Sequence, residues 1–569
     1  MSCFCFGGAR AAMAHAKSNS MKRRSDMKKL ICILLALCFC LSLAACAETA
    51  AKPAADGGSS PATAAPAPAA SDSSQSASGT ETPTPEDPMA STLVIGAKAD
   101  FTNEGKNLIF DYLMFRISNF EAVPNVISSE HNADYSEYTL KVVPGIKFTD
   151  GTPLTADMIK YSIESQLPTS NLGIGSVLES IEVKDDSTLI LHLSDSYMNM
   201  DYELSYILCV KPGTVSDDGN FVEWVGTGPY VLTEHQQDVR AEFTRNEDYW
   251  NPAKKGTPKT VIWKVLPDET TRVMALEKKE VDVIGPDSHA ASGISNSTLN
   301  EITKKGVLNI MSRVGASPQT YMYNYTNGLM SDIELRKAVT YAVDRQAMLD
   351  TAAFGFGEVM GTFLGDSAQY AARNGEGYTY DPEMAKKILA DAGYADTNGN
   401  GIVEKDGQDV VLQFVTFTGD TYRTIAVLFQ ESLKAVGIGM EINALENTIF
   451  YERTNSGDFD ICMCHPWTTA MAYMTWRGGY SDYDNFGPGF GVNDNFPGYL
   501  ETILTSTDKD EIYATFDKIW AEIYAAYPAT PLYAGTSTYI YTDEVSGFLW
   551  TLGNGGNMID LSEVVINRK

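Results

Sequence analysis

Histidine and cysteine are scarce in the part of this chain that could fold, and basic residues are outnumbered throughout. Six histidines occur in 569 residues. Of nine cysteines, Cys3, Cys5, Cys32, Cys38, Cys40 and Cys46 lie in or before an apolar leader, leaving Cys209, Cys462 and Cys464 for the body. A disulfide framework is thereby excluded as the source of stability. Cys462 and Cys464 would point to one face of a strand and read as core packing. A metal set of these two with His465 is the weaker alternative, because strand geometry splays the thiols and no second cluster completes a site. The 43 Lys+Arg against 73 Asp+Glu leave a formal net charge of -30, which repels phosphate backbones and argues against nucleic acid as a partner. Catalytic signatures are missing as well. There is no Gly-x-Ser-x-Gly elbow, no His-Glu-x-x-His helix and no phosphate loop with its lysine. Gly226-Thr227-Gly228 is too short for a dinucleotide fingerprint, and Pro229 after it predicts a rigid turn. No enzyme and no cofactor is expected.

What is present begins with a leader. Lys28-Lys29, an apolar run from Leu30 to Leu43 and the small residues before Cys46 in Leu43-Ala44-Ala45-Cys46 read as a bacterial lipoprotein signal, too short for a membrane span. Residues 1–46 are thus expected to be the signal, with Met27 a better start than Met1 and Cys46 the lipidated first residue of the mature chain. Residues 47–90 are Ala, Pro, Ser, Thr and Gly with scattered acids. They cannot bury enough apolar surface to offset ordering and are expected to form a disordered tether. The expected location is the extracytoplasmic face of a membrane, held by the lipid.

The remaining residues exceed what one hydrophobic core usually organises, so two or more lobes are expected. Thr92-Leu93-Val94-Ile95-Gly96 predicts a buried strand. Asp381-Pro382-Glu383 predicts a helix start, with Ala385, Ile388, Leu389 and Ala392 on one apolar face and Gly393 as its stop. Val410 to Phe417 predicts a strand, Thr424 to Val436 a helix stopped by Gly437, and Ile438 to Ile442 a second strand. A unit of that length makes a right-handed parallel crossover. Asp396-Thr397-Asn398-Gly399-Asn400-Gly401 has the first half of a calcium loop, but Gly407 stands where the bidentate Glu belongs, which favours a polar turn.

From Tyr138 to Ser165 the chain reads YTLKVVPGIKFTDGTPLTADMIKYSIES. This stretch resembles the family 5 extracellular solute-binding proteins of ABC importers, which carry oligopeptides, dipeptides or nickel complexes. Its physical content is a strand from Tyr138 to Val142, a turn at Pro144-Gly145, a second strand, an Asp150-Gly151 turn and a helix capped by Thr155. Val225 to Tyr230, Arg245 to Trp250, Ala275-Leu276 leading to Val281-Asp282-Val283, and Asp332 to Met348 (DIELRKAVTYAVDRQAM) match the same family in the same order.

The resemblance implies a periplasmic-binding-protein-like (type II) fold: two α/β lobes with a small subdomain, joined by a two-segment hinge that closes on ligand. By analogy residues 91–313 form the first lobe with its subdomain, 314–533 the second lobe, and 534–569 return to the first. The implied function is capture of a short peptide by a monomeric receptor and its delivery to ABC permease subunits. A nickel chelate is the alternative cargo; an extracellular hydrolase of peptides or glycans is a remote third reading, motivated only by export and acid content. Phe459 to Trp467 reads as a buried strand whose end faces the cleft in this family, and Trp467 matches a ligand-wall tryptophan. Tyr473, Trp476, Arg477, Asp482 and Asp484 follow as candidate ligand contacts. The family's peptide binders tend to carry an Asp three residues after that tryptophan, where Ala470 stands here; the nickel binders tend to carry a Tyr four residues after it, where Met471 stands. Asp111, before a Leu-containing turn, and Arg116, as a carboxylate partner, are the candidates from the first lobe, although solvated surface charges would explain both equally well.

Overall fold

The computed structural model describes residues 91–116, 122–170, 172–285, 294–315, 318–324, 328–363, 377–464, 495–551 and 558–568. Among these, the largest sheet has eight strands. Thr92–Ala97 lies inside it because alternate side chains are buried on opposite faces: Leu93 and Ile95 join one hydrophobic cluster and Val94 the other. It pairs parallel with Thr260–Val265 on one side and Val283–Ile284 on the other. Beyond Thr260–Val265 the sheet continues antiparallel through Arg240–Arg245 and Tyr230–Gln236. Beyond Val283–Ile284 it continues through Tyr533–Tyr541, which also pairs with Asn309–Val314 and with Gly357–Val359.

A four-stranded antiparallel sheet takes Ile127–His131, Glu137–Val142, Leu178–Asp185 and Thr188–Leu193. The Pro144-Gly145 and Asp150-Gly151 turns are where the sequence places them, with Gly145 and Gly151 both at positive φ. The second strand between those turns does not form; a single bridge, Lys147 to Pro153, stands in its place. Two turns six residues apart leave too little chain for a ladder. Thr155 is the N-cap of Ala156–Gln166 but makes no side-chain bond there. Its carbonyl accepts from Met158 and Ile159 instead.

The five-stranded sheet runs in the order Gly439–Leu445, Val411–Phe417, Ile461–Cys464, Thr320–Tyr323, Ala529–Pro531. Val411–Phe417 and Gly439–Leu445 are parallel, and the helix Asp420–Lys434 joins them. That is the expected crossover, with its helix starting four residues early because Gly419, at φ 131°, releases the chain directly into Asp420. Gly437, at φ 84°, ends it. The helix Pro382–Asp391 is capped by Asp381, whose carboxylate accepts from Met384 N at 2.9 Å, and it buries Ala385 and Leu389. The family-matching stretch from Asp332 to Met348, which the resemblance implies is one helix opening the second lobe, folds as two, Ile333–Ala342 and Arg345–Ala352. Val343 turns extended between them, and Asp344 caps the second by accepting from Ala347 N. Cys462 is fully buried in the central strand and Cys209 in the core. No helix among the described residues is long and apolar enough to cross a membrane.

Candidate functional site

Asp111 is held by backbone before its side chain does anything. Gly228 N donates to Ile109 O at 2.7 Å, and a Cβ on Gly226 would lie 2.1 Å from that same oxygen. The Gly226-Thr227-Gly228 turn therefore presses main chain on main chain, which only glycine allows at this spacing. Asp111 O in turn accepts from Cys209 N at 2.7 Å. The carboxylate, 8 % exposed, accepts from Tyr249 OH at 2.8 Å and from Trp250 Nε1 at 2.9 Å. Burial pushes its pKa up to about 6 against the lowering pull of Trp250, Tyr249 and Thr227. Asp111 thus anchors the Tyr249-Trp250 pair beside a pocket of about 50 Å³. Lys254, bonded to Asp560 at 2.8 Å, and Tyr230 line the same pocket.

Arg116 ends the short strand Met114–Arg116, paired across to Ala122. It is 4 % exposed, and its guanidinium carbon stands 4.0 Å from the ring centre of Tyr206 and 5.7 Å from that of Tyr202. The two phenols are bonded to each other at 2.8 Å. Burial, then the neighbouring Tyr206, pushes the Tyr202 phenol far up, with Arg116 pulling the other way. Nε and Nη2 of Arg116 have no hydrogen-bond partner of normal geometry. Glu203, on the adjacent short helix Met200–Leu204, accepts from Gly173 N at 3.1 Å and Ile174 N at 2.7 Å. Asp111 and Arg116 are therefore interior residues and not solvated surface charges.

A second polar group sits where the parallel strands of the five-stranded sheet end, the edge at which open α/β sheets bind ligands. Phe414 pairs with Ile461 and Tyr321 with Met463, so Phe414, Thr416 and Tyr321 share one face. The Tyr321 ring stacks on Phe414 at 4.9 Å, which places its hydroxyl beside Thr416. Gln319 and Tyr533 adjoin through Gln319 N to Tyr533 O, 2.9 Å, and Leu532 N to Gln319 O, 2.8 Å. Four buried polar atoms, Gln319 Oε1, Tyr321 OH, Thr416 Oγ1 and Tyr533 OH, have no hydrogen-bond partner of normal geometry. Burial raises both phenols well above their ordinary range, so they stay neutral.

The strand Ile461–Cys464 stops at this edge, with Cys464 opposite Thr320. His465, Trp467, Tyr473, Trp476, Arg477, Asp482 and Asp484 follow it and lie outside the described residues, as do Cys46 and the rest of the leader and tether. The Gln319, Tyr321, Thr416 and Tyr533 group was not singled out from sequence. Thr320–Tyr323 is buried throughout and reads as plain core strand; only the two tyrosines, each carrying a hydroxyl into it, could have signalled otherwise.

The sequence model of bacterial extracellular solute-binding proteins, family 5 (Middle), matches residues 121–485. The oligopeptide-binding protein AppA of Bacillus subtilis is 27 % identical over 386 residues, 63 % of this chain and 68 % of that protein. The nickel-binding periplasmic protein of Escherichia coli is 22 % identical over 375 residues, 64 % of this chain and 70 % of that protein. Among solved structures, NikA from Brucella suis in complex with Fe(III)-EDTA superposes with a TM-score of 0.74 at 23 % identity, covering 84 % of this chain and 99 % of that one.

Proposed function

The chain belongs to the family 5 bacterial extracellular solute-binding proteins, and on that premise we propose that it captures short peptides and delivers them unaltered to an ABC permease. The observation that carries this reading is the set of unpartnered polar atoms on Gln319, Tyr321, Thr416 and Tyr533 at the carboxyl edge of the five-stranded sheet. They are neutral, and the three hydroxyls both donate and accept. A peptide main chain offers alternating N–H and C=O groups and suits such a surface better than an ion does. The oligopeptide-binding relative from Bacillus subtilis supports the same cargo. The lobes are taken as residues 91–313 with 534–569, and 314–533, with Trp467, Tyr473, Trp476, Arg477, Asp482 and Asp484 contributing the wall that follows Cys464. Cys46 carries the lipid that holds the receptor, a monomer, at the extracytoplasmic face, through the tether of residues 47–90. No step of covalent chemistry is assigned to any residue.

A nickel chelate is the second reading, favoured by the nickel-binding relative and by the buried guanidinium of Arg116, which suits the carboxylates of a chelating acid. Protein unfolded to release its cargo, refolded and titrated calorimetrically with di- to pentapeptides is expected to bind with release of heat. Silence at high micromolar peptide, with heat from nickel plus free histidine, would replace the first reading by the second. Mass spectrometry of the released molecule names the natural cargo. Cys46→Ser is expected to move the protein out of the membrane fraction with peptide binding unchanged; retention there would remove the anchor.

A further inference from the structure

Two of the other buried arginines, Arg345 and Arg336, show what Arg116 lacks, and the third, Arg272, gives Nη1 to the carbonyls of Leu266 and Pro267. Arg345 donates from Nε to Pro531 O at 2.8 Å, from Nη1 to Val343 O at 3.3 Å and from Nη2 to Thr340 O at 3.2 Å. Arg336 reaches the carbonyls of Ala526, Met330 and Ser331. In both, main-chain oxygens replace the water that a buried guanidinium gives up. Arg116 is just as enclosed, but its contacts are of another kind: the face of Tyr206 at 4.0 Å and Tyr202 beyond it, whose hydroxyl lies close enough to feel the guanidinium but makes no hydrogen bond of normal geometry to Nε or Nη2. Stacking fixes the plane of the guanidinium and satisfies none of its N–H groups. The atoms without a hydrogen-bond partner of normal geometry are Nε and Nη2. These two lie on the same edge of the fork, and their N–H bonds run parallel at the spacing of two carboxylate oxygens.

We propose that Arg116 is a specificity-determining residue that receives a carboxylate of the cargo side-on, through Nε and Nη2. The inference rests on the reading that the chain captures a solute. A single planar cation matches one carboxylate, whether the carboxyl end of a peptide or an arm of a chelating organic acid. Glu203, on the adjacent short helix, accepts from Gly173 N, Ile174 N and the Tyr197 hydroxyl. A buried guanidinium without a carboxylate costs stability, so on this proposal the empty protein gains from its removal.

The test strips cargo by unfolding and refolding and compares the wild type with Arg116→Gln and Arg116→Lys. Each is titrated with dipeptides and tripeptides as free acids, with the same peptides as carboxyl-terminal amides, with citrate, and with nickel plus free histidine. The wild type is expected to prefer free acids over amides by about 10- to 100-fold. Arg116→Gln should erase that preference by weakening the acids alone, Arg116→Lys should recover part of it, and the empty Arg116→Gln protein should melt no lower than the wild type. Equal discrimination in wild type and Arg116→Gln, or a lower melting temperature with discrimination intact, overturns the proposal. If no peptide binds, the peptide reading of the preceding section falls and Arg116 is judged on citrate and the nickel complex: binding lost in Arg116→Gln supports the proposal, binding equal in both proteins overturns it. Wild-type protein that binds none of these carboxylates also overturns it.

Discussion

Asp111 holds its two aromatic donors at a price that depends on pH. Its carboxyl group titrates near 6 in the folded protein and at its ordinary value of 3.8 once unfolded. Below pH 3.8 both states are protonated and the group contributes nothing to the difference. Between 3.8 and 6 the folded state keeps a proton that the unfolded state has released, so stability falls as pH rises through that window. Above 6 the loss is complete, at about 3 kcal/mol. In Asp111→Asn the dependence disappears, while Asn keeps one oxygen for Tyr249 or Trp250. Thermal unfolding from pH 3.5 to 7.5 should therefore show wild type losing ground to Asp111→Asn between pH 4 and 6 and running parallel to it above. A constant difference across the range would mean that the carboxyl group is not shielded as the structure shows.

At the scale of the element, Asp381 does what its position in the sequence dictates. Its carboxylate accepts from Met384 N at 2.9 Å with Pro382 at the first helical position, so Asp381→Ala should weaken the first turn by about 1 kcal/mol. Because the protein has more than one core, the fitting measurement is local. Amide exchange in the first turn of Pro382–Asp391 should quicken about 5-fold with the rest of the helix unchanged, and unchanged exchange at Met384 would show that the cap carries no load. This helix, the Val411–Phe417 to Gly439–Leu445 crossover and the strand at Thr92 were legible in sequence because each is written by local signals: a cap, a period, a glycine stop. The break at Val343 was not, since nothing in Ala342-Val343-Asp344 is a helix breaker and the turn is set by packing. Of the candidate site, Asp111 and Arg116 were legible as charged residues beside a Leu-containing turn, but their burial comes from Tyr249, Trp250 and Tyr206, 90 or more positions along the chain. Gln319, Tyr321, Thr416 and Tyr533 come together only when three strands align, and a strand buried on both faces shows no alternation to betray a polar end.

At the scale of the whole molecule, the chain passes from the eight-stranded to the five-stranded sheet between Asn309–Val314 and Thr320–Tyr323 and returns between Ala529–Pro531 and Tyr533–Tyr541, while Gly357–Val359, between these in sequence, also pairs with Tyr533–Tyr541. Described residues of the two passages are bonded to each other: Gly315 N donates to Gly535 O at 2.9 Å, Gln319 N to Tyr533 O at 2.9 Å and Leu532 N to Gln319 O at 2.8 Å. Gln319 and Tyr533 therefore belong both to the passage between the sheets and to the polar group proposed to meet cargo. A solute bound at those atoms touches the place about which the two parts would turn, so binding energy and closure are coupled through the same residues. Cargo that binds only the closed arrangement should shift the population towards it, and small-angle scattering should show a smaller radius of gyration for loaded than for stripped protein. At one hundred times its dissociation constant the same cargo should add about 2.7 kcal/mol of stability. Tyr533→Phe removes one hydroxyl and leaves the ring packing, so it should reduce the gain in stability while the loaded protein still contracts at saturating cargo. A loaded protein with the dimensions of the stripped one would mean that cargo is held without rotation about these strands, and the hinge reading of the two passages would fall.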